Sequence, residues 1–168
     1  YQIQPGDPAG HLFTIKLVIA QPDPDGQLLA LPAWIPGSYM IRDFARNIIS
    51  LDASCDGIPL MVTKQDKQTW QCAPCGGELE IRYQVYAWDL SVRSAHLDTT
   101  HGYFNGTSVF LKIIGQEAYP CEVVISPPEG DDYSQWRVAT TLPRKQAGYL
   151  EFGSYQAGGY EELIDHPV

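Results

Sequence analysis

Long apolar runs, basic charge and the common catalytic signatures are what this 168-residue sequence has least of. A helix needs roughly 20 apolar residues to span a bilayer. The longest apolar run here, Leu28 to Ile35, is far shorter and contains Pro32, so no membrane partner is expected. Lysine and arginine number 11 against 20 acidic residues, for a formal net charge of −9. Nucleic-acid binders need clustered cations to displace counterions from phosphate, so no nucleic-acid partner is expected either. The acids are scattered, densest at Asp131-Asp132 and Glu161-Glu162, and read as solvated faces.

Catalytic patterns are equally scarce. There is no His-Glu-x-x-His helix signature, no Gly-x-Ser-x-Gly elbow and no Lys-Ser/Thr phosphate loop. Of the four histidines, only His96 and His101 lie close in sequence. Five residues apart, they fall on opposite faces of a strand and splay on a helix. Only an irregular loop would unite them, with Asp98 as third ligand, so the expectation is no metal site in this chain. Cys72-Ala73-Pro74-Cys75 lacks the second pair of a zinc ribbon and the helix start of a thioredoxin-type site. The four cysteines Cys55, Cys72, Cys75 and Cys121 are expected to be turn or core thiols. Reduced thiols suit the cytoplasm, which is the expected compartment; disulfides would suit the periplasm.

What the sequence does have is period-two alternation. In Glu78 to Tyr86, Leu79, Ile81, Tyr83 and Val85 point one way, and in His11 to Ala20 so do Phe13, Ile15, Leu17 and Ile19. Further strands are predicted over Gln27–Leu31, Ile48–Cys55, Leu60–Thr63, Thr69–Cys72, Ser108–Ile114, Cys121–Ser126, Gln135–Ala139 and Tyr149–Phe152. Asp25-Gly26 and Asp56-Gly57 suit tight hairpins. Short helical turns are predicted only at Ile41–Ile48 and Gly159–Ile164. The fold class is therefore all-β, an antiparallel sandwich or bent multi-sheet domain with little helix. A 44% hydrophobic fraction supports one continuous core and a single domain.

Two segments carry more specific chemistry. Leu31 to Asn47 mixes prolines, three aromatics and two arginines. Its plainest reading is a corner with Trp34 buried, Pro36-Gly37 turning the chain, and Arg42 or Arg46 paired with Asp43 or a carbonyl. Asp98 to Ser108 is a polar loop at a strand entrance, dense enough in hydrogen-bonding groups for a binding rim.

The blocks LPAWIPGSYMIRDFARNI, YFNGTSVFL and ELIDHPV, in that order, resemble the glycyl-aminopeptidase-like zinc metallopeptidases, whose members usually carry a PDZ domain after the protease domain. The resemblance runs from Leu31 to Val168 and implies that residues 1–168 are a single non-catalytic N-terminal β domain, ending where the catalytic domain would begin. It implies zinc in that catalytic domain and none here, with partners in the domain itself and a peptide substrate. The domain's implied role is to cover the catalytic cleft and help bind the substrate's amino end. Substrate-contacting candidates are Asn105, Gly106 and Thr107, with Tyr39 and Arg42 nearby. Two further expectations follow: the chain alone binds no stoichiometric zinc and cleaves no peptide, and an apolar patch lies uncovered near Tyr155 to Val168. The alternative is a stand-alone β-sandwich module that binds carbohydrate or protein, to which four Trp and ten Tyr are not foreign.

Overall fold

A computed structural model describes residues 1–35 and 37–168. The strands are β1 Gln2–Asp7, β2 Leu12–Ile19, β3 Leu28–Ala30, β4 Ile48–Cys55, β5 Ile58–Leu60, β6 Val62–Lys64, β7 Thr69–Cys72, β8 Leu79–Tyr86, β9 Ala95–Leu97, β10 Gly102–Phe104, β11 Lys112–Ile113, β12 Cys121–Ile125 and β13 Gly153–Ala157. Three 3₁₀ turns, Phe44–Asn47, Gly106–Ser108 and Asp131–Tyr133, and one short helix, α1 Tyr160–Asp165, complete the elements among the described residues. The fold is all-β and multi-sheeted. A seven-stranded sheet runs β13-β12-β1-β2-β8-β4-β5, a four-stranded one β11-β3-β7-β6, and β9 and β10 form a small hairpin. All pairs are antiparallel except β1 with β12, so the large sheet is mixed rather than purely antiparallel.

The alternating strands behave as their pattern dictates. β2 pairs with β8 so that Ile15 faces Tyr83 and Leu17 faces Ile81, and the apolar set of both strands is buried. Each fully buried aliphatic side chain stabilises by roughly 1.5–3 kcal/mol, enough to fix a register whose slip by one residue would turn the whole set to solvent. Asp56-Gly57 closes the β4–β5 hairpin with both residues at positive φ, 49° and 81°, as a primed two-residue turn requires. Asp25-Gly26 also turns the chain, with Gly26 at φ 111°. It passes from β2 into the other sheet, however, and is no hairpin.

The predicted strand Ser108–Ile114 is the main departure. Only Lys112–Ile113 pairs, and Val109, Phe110 and Leu111 are buried outside any ladder. Buried carbonyls need partners, and tyrosine hydroxyls supply them. Tyr83 Oη donates to Val109 O at 2.7 Å, Tyr160 Oη to Phe110 O at 2.7 Å and Tyr1 Oη to Leu111 O at 2.8 Å. Tyr83 Oη also accepts from Leu111 N at 3.2 Å. Burial pushes all three phenols above their usual pKa, so the hydroxyls keep the protons they donate.

Other boundaries move. Leu60–Thr63 is divided between β5 and β6, and Gln135–Ala139 is not a strand. The strand expected at Tyr149–Phe152 begins at Gly153 instead. The sequence does not signal β1 or the β9–β10 hairpin; helical turns form at both predicted places, and two more form at Gly106–Ser108 and Asp131–Tyr133, where none was expected.

The cysteines are not all thiols. Cys55, at the end of β4, is bonded to Cys75, 20 residues on, with Cα atoms 5.9 Å apart. The Cys72–Cys75 pair is split, leaving Cys72 buried and Cys121 half-buried as free thiols. Burial pushes the Cys72 thiol up to about 11.

Two outcomes follow. Tyr83→Phe and Tyr160→Phe each leave a buried carbonyl unpaired and are expected to cost about 1–3 kcal/mol in urea unfolding; a loss near zero for both would show that the tyrosine contacts do not hold the segment. Cys55→Ser is expected to lose about 2–4 kcal/mol, the usual worth of closing a loop of this size. Thiol titration of the denatured, unreduced wild-type chain should count two thiols, and a count of four would remove the disulfide.

Candidate functional site

An open cleft of about 510 Å3 lies where three segments meet: the 34–42 loop, the Gly106–Ser108 turn and α1. Its floor and walls come from Ile35, Asn105, Thr107 and Ile164, and its rim from Glu161, Glu162 and Asp165. The turn is built by Asn105, which stays extended at φ −87° and caps it; its Oδ1 accepts from Thr107 N at 3.1 Å and from the Thr107 hydroxyl. Ser108 Oγ donates back to Asn105 O at 2.7 Å. Gly106 is required by close approach, since a Cβ there would sit 2.8 Å from Ile164 Cα. The turn therefore packs directly on α1.

The helix presents Tyr160, Leu163 and Ile164 to the core and leaves Glu161, Glu162 and Asp165 exposed. Beyond it, Val168 exchanges backbone hydrogen bonds with Phe104, at 2.9 and 3.0 Å, which brings the last residue beside the turn. The apolar residues of Tyr155–Ile164 are thus mostly turned inward. A group of exposed apolar side chains lies next door, on the loop of Trp34, Tyr39, Met40 and Ile41, near the C-terminal segment rather than on it.

That loop is closed by Arg42 N donating to Ala33 O at 2.7 Å. Ile35 and Ser38 are buried, while Trp34 is 49% exposed, Tyr39 fully exposed, and Met40 and Ile41 largely so. The expected buried Trp34 is corrected: its indole N–H is satisfied by Ser38 O at the surface. Asp43, left-handed at φ 47°, pairs with Lys67 at 2.7 Å rather than with Arg42 or Arg46. Arg42 Nε is buried without a hydrogen-bond partner among the described residues. Pro36, half of the expected Pro36-Gly37 turn, lies outside the described residues; Gly37 has φ 81°.

Of the sequence-predicted site residues, Asn105 and Thr107 line the cleft, Gly106 forms its backing, and Tyr39 and Arg42 belong to the adjoining loop without lining it. Gly106 and Thr107 are buried. Glu161, Asp165 and Ile35 were not singled out, although Glu161-Glu162 had been noted as an acidic pair. Their spacing on one short helix was the available signal. Three carboxylates and no basic side chain line this cleft, so its field favours a cation.

A second cluster arises where β9 and β10 pair, His96 opposite Tyr103 and Leu97 opposite Gly102. The tight loop between them unites His96, Asp98 and His101, as the irregular-loop alternative required. Trp88 stacks with His11 and His96, with ring centroids at 3.9 and 4.8 Å.

Comparison with known proteins places the chain. A search of curated proteins returned no match. The crystal structure of an aminopeptidase N family protein from Idiomarina loihiensis is 46% identical, with a TM-score of 0.95, over 99% of this chain and 28% of that one. This chain therefore spans under a third of that neighbour. The family described as Peptidase M61 N-terminal domain matches residues 1–168, and the chain belongs to that family.

Proposed function

We propose that this domain is a non-catalytic part of a zinc-dependent aminopeptidase, in which it helps cover the catalytic cleft and receives the free amino end of a peptide. The observation that carries the reading is the cleft of Asn105, Thr107 and Ile35 beneath the carboxylates of Glu161, Glu162 and Asp165. A peptide's α-ammonium is the one cation that every aminopeptidase substrate presents, and carboxylates bind it by charge-assisted hydrogen bonds. Bond cleavage belongs to a zinc-bearing catalytic domain elsewhere in the parent chain, joined in family members by a PDZ domain. The solvent-facing Trp34, Tyr39, Met40 and Ile41 would then be the apolar surface that meets the catalytic domain, because interdomain contacts bury such patches. The Cys55–Cys75 bond favours an oxidising compartment, hence the periplasm over the cytoplasm.

The test uses the full-length parent. Glu161→Gln combined with Asp165→Asn is expected to lower kcat/KM for peptides with a free amino end by roughly tenfold, about 1.4 kcal/mol, mainly through KM. Asn105→Ala should cost about 0.5–2 kcal/mol of stability, because its oxygen is spent on capping the turn. An unchanged kcat/KM in the double variant would remove the cleft from substrate binding.

A further inference from the structure

We propose that the β9–β10 hairpin carries a binding site for a divalent transition-metal ion of the zinc class, held by His96, Asp98 and His101. The site does not depend on the cleft or on the aminopeptidase reading. The donor atoms of the three residues lie within 4.8 Å of one another. His96 Nε2 is 3.1 Å from Asp98 Oδ2, and His101 Nδ1 is 3.4 Å from Asp98 Oδ1. Ligands bonded to zinc at about 2.0–2.2 Å in a tetrahedron sit roughly 3.4 Å apart; the His96–Asp98 separation fits, while that of His101 runs to the other carboxylate oxygen. The widest separation must close by about 1.4 Å to satisfy zinc, and the half-exposed His101 ring would give up its 3.0 Å contact with Thr100 Oγ1 to supply that movement.

The framework is pre-organised. Asp98 is fixed by three donors to Oδ1, Thr100 N at 2.7 Å, Thr100 Oγ1 at 2.6 Å and His101 N at 2.9 Å. Those bonds hold its carboxyl below the usual range, and they leave Oδ2 directed at His96. His96 is 3% exposed and stacked on Trp88. Among the described residues its Nδ1 has no hydrogen-bond partner, and it is Nε2 that faces Asp98. Two imidazoles and one carboxylate suit zinc, copper or nickel and not calcium or magnesium, which prefer all-oxygen cages. A solvent molecule would fill the fourth position, since His101 opens to water.

The residues also admit a purely structural reading, with Asp98 stapling the loop and His96 filling space beside Trp88. Calorimetry and Co2+ absorption on the 168-residue chain decide between them. The expected result is one Zn2+ per chain, His96 and His101 imidazole resonances shifting together, a tetrahedral Co2+ spectrum, and no response to Mg2+ or Ca2+. His101→Ala, at an exposed position that should not impair folding, is expected to weaken Zn2+ binding at least tenfold, whereas Cys121→Ser leaves it unchanged. In the full-length parent, metal analysis of His101→Ala should count one zinc fewer per chain than wild type. Failure of the wild-type chain to bind Zn2+, or binding that survives both His101→Ala and Asp98→Asn, would overturn the proposal.

Discussion

Three buried tyrosine hydroxyls hold this domain's least regular piece of backbone. Val109, Phe110 and Leu111 cross the core without a strand partner, and their carbonyls bond Tyr83 from β8, Tyr160 from α1 and Tyr1 from the chain's start. An amide group buried without a partner costs about 1–3 kcal/mol, so the segment is tolerable only where all three contacts are made together. Making them ties the middle of the large sheet, the helix and the first residue to one point.

That point sets the position of the acidic cleft. Gly106 stands three residues before the anchored segment, where a Cβ would meet Ile164, so the Asn105 cap is packed against α1. Tyr160 secures the same helix, whose outward face bears Glu161 and Asp165. A rigid scaffold thus presents a polar turn and an acidic helix face at the end of the domain where Val168 sits. The chain belongs to the M61 N-terminal domain family and spans 28% of the Idiomarina neighbour.

How much of this was legible depended on whether the determining contact was local. The alternation of β2 and β8, the span of β4 and the Asp56-Gly57 turn follow from period and turn chemistry, and they came out as read. Val109–Leu111 has strand composition, but what decides its conformation is three hydroxyls from 26, 50 and 110 residues away. β1 was hidden by Pro5 and Gly6, which look like terminators, although a register shift between Pro5 and Asp7 absorbs them. The Cys55–Cys75 bond depends on the β4–β8 register, which puts Cys55 opposite Leu79, and the Cys72–Cys75 spacing drew attention to the wrong pair. At the site, Asn105, Gly106 and Thr107 could be named because a polar turn stands out in sequence. Glu161 and Asp165 could not be placed beside them until the fold had joined residues more than 50 apart in number.

Hydrogen exchange on the full-length parent tests the central claim most directly, comparing the enzyme alone with the enzyme bound to a non-hydrolysable peptide that has a free amino end. Protection should rise in Asn105–Phe110 and Glu161–Asp165, and an N-acetylated form of the same peptide should not raise it. Exchange in those two segments that is indifferent to the peptide, while protection appears elsewhere in this domain or in none of it, would contradict the role assigned to the cleft.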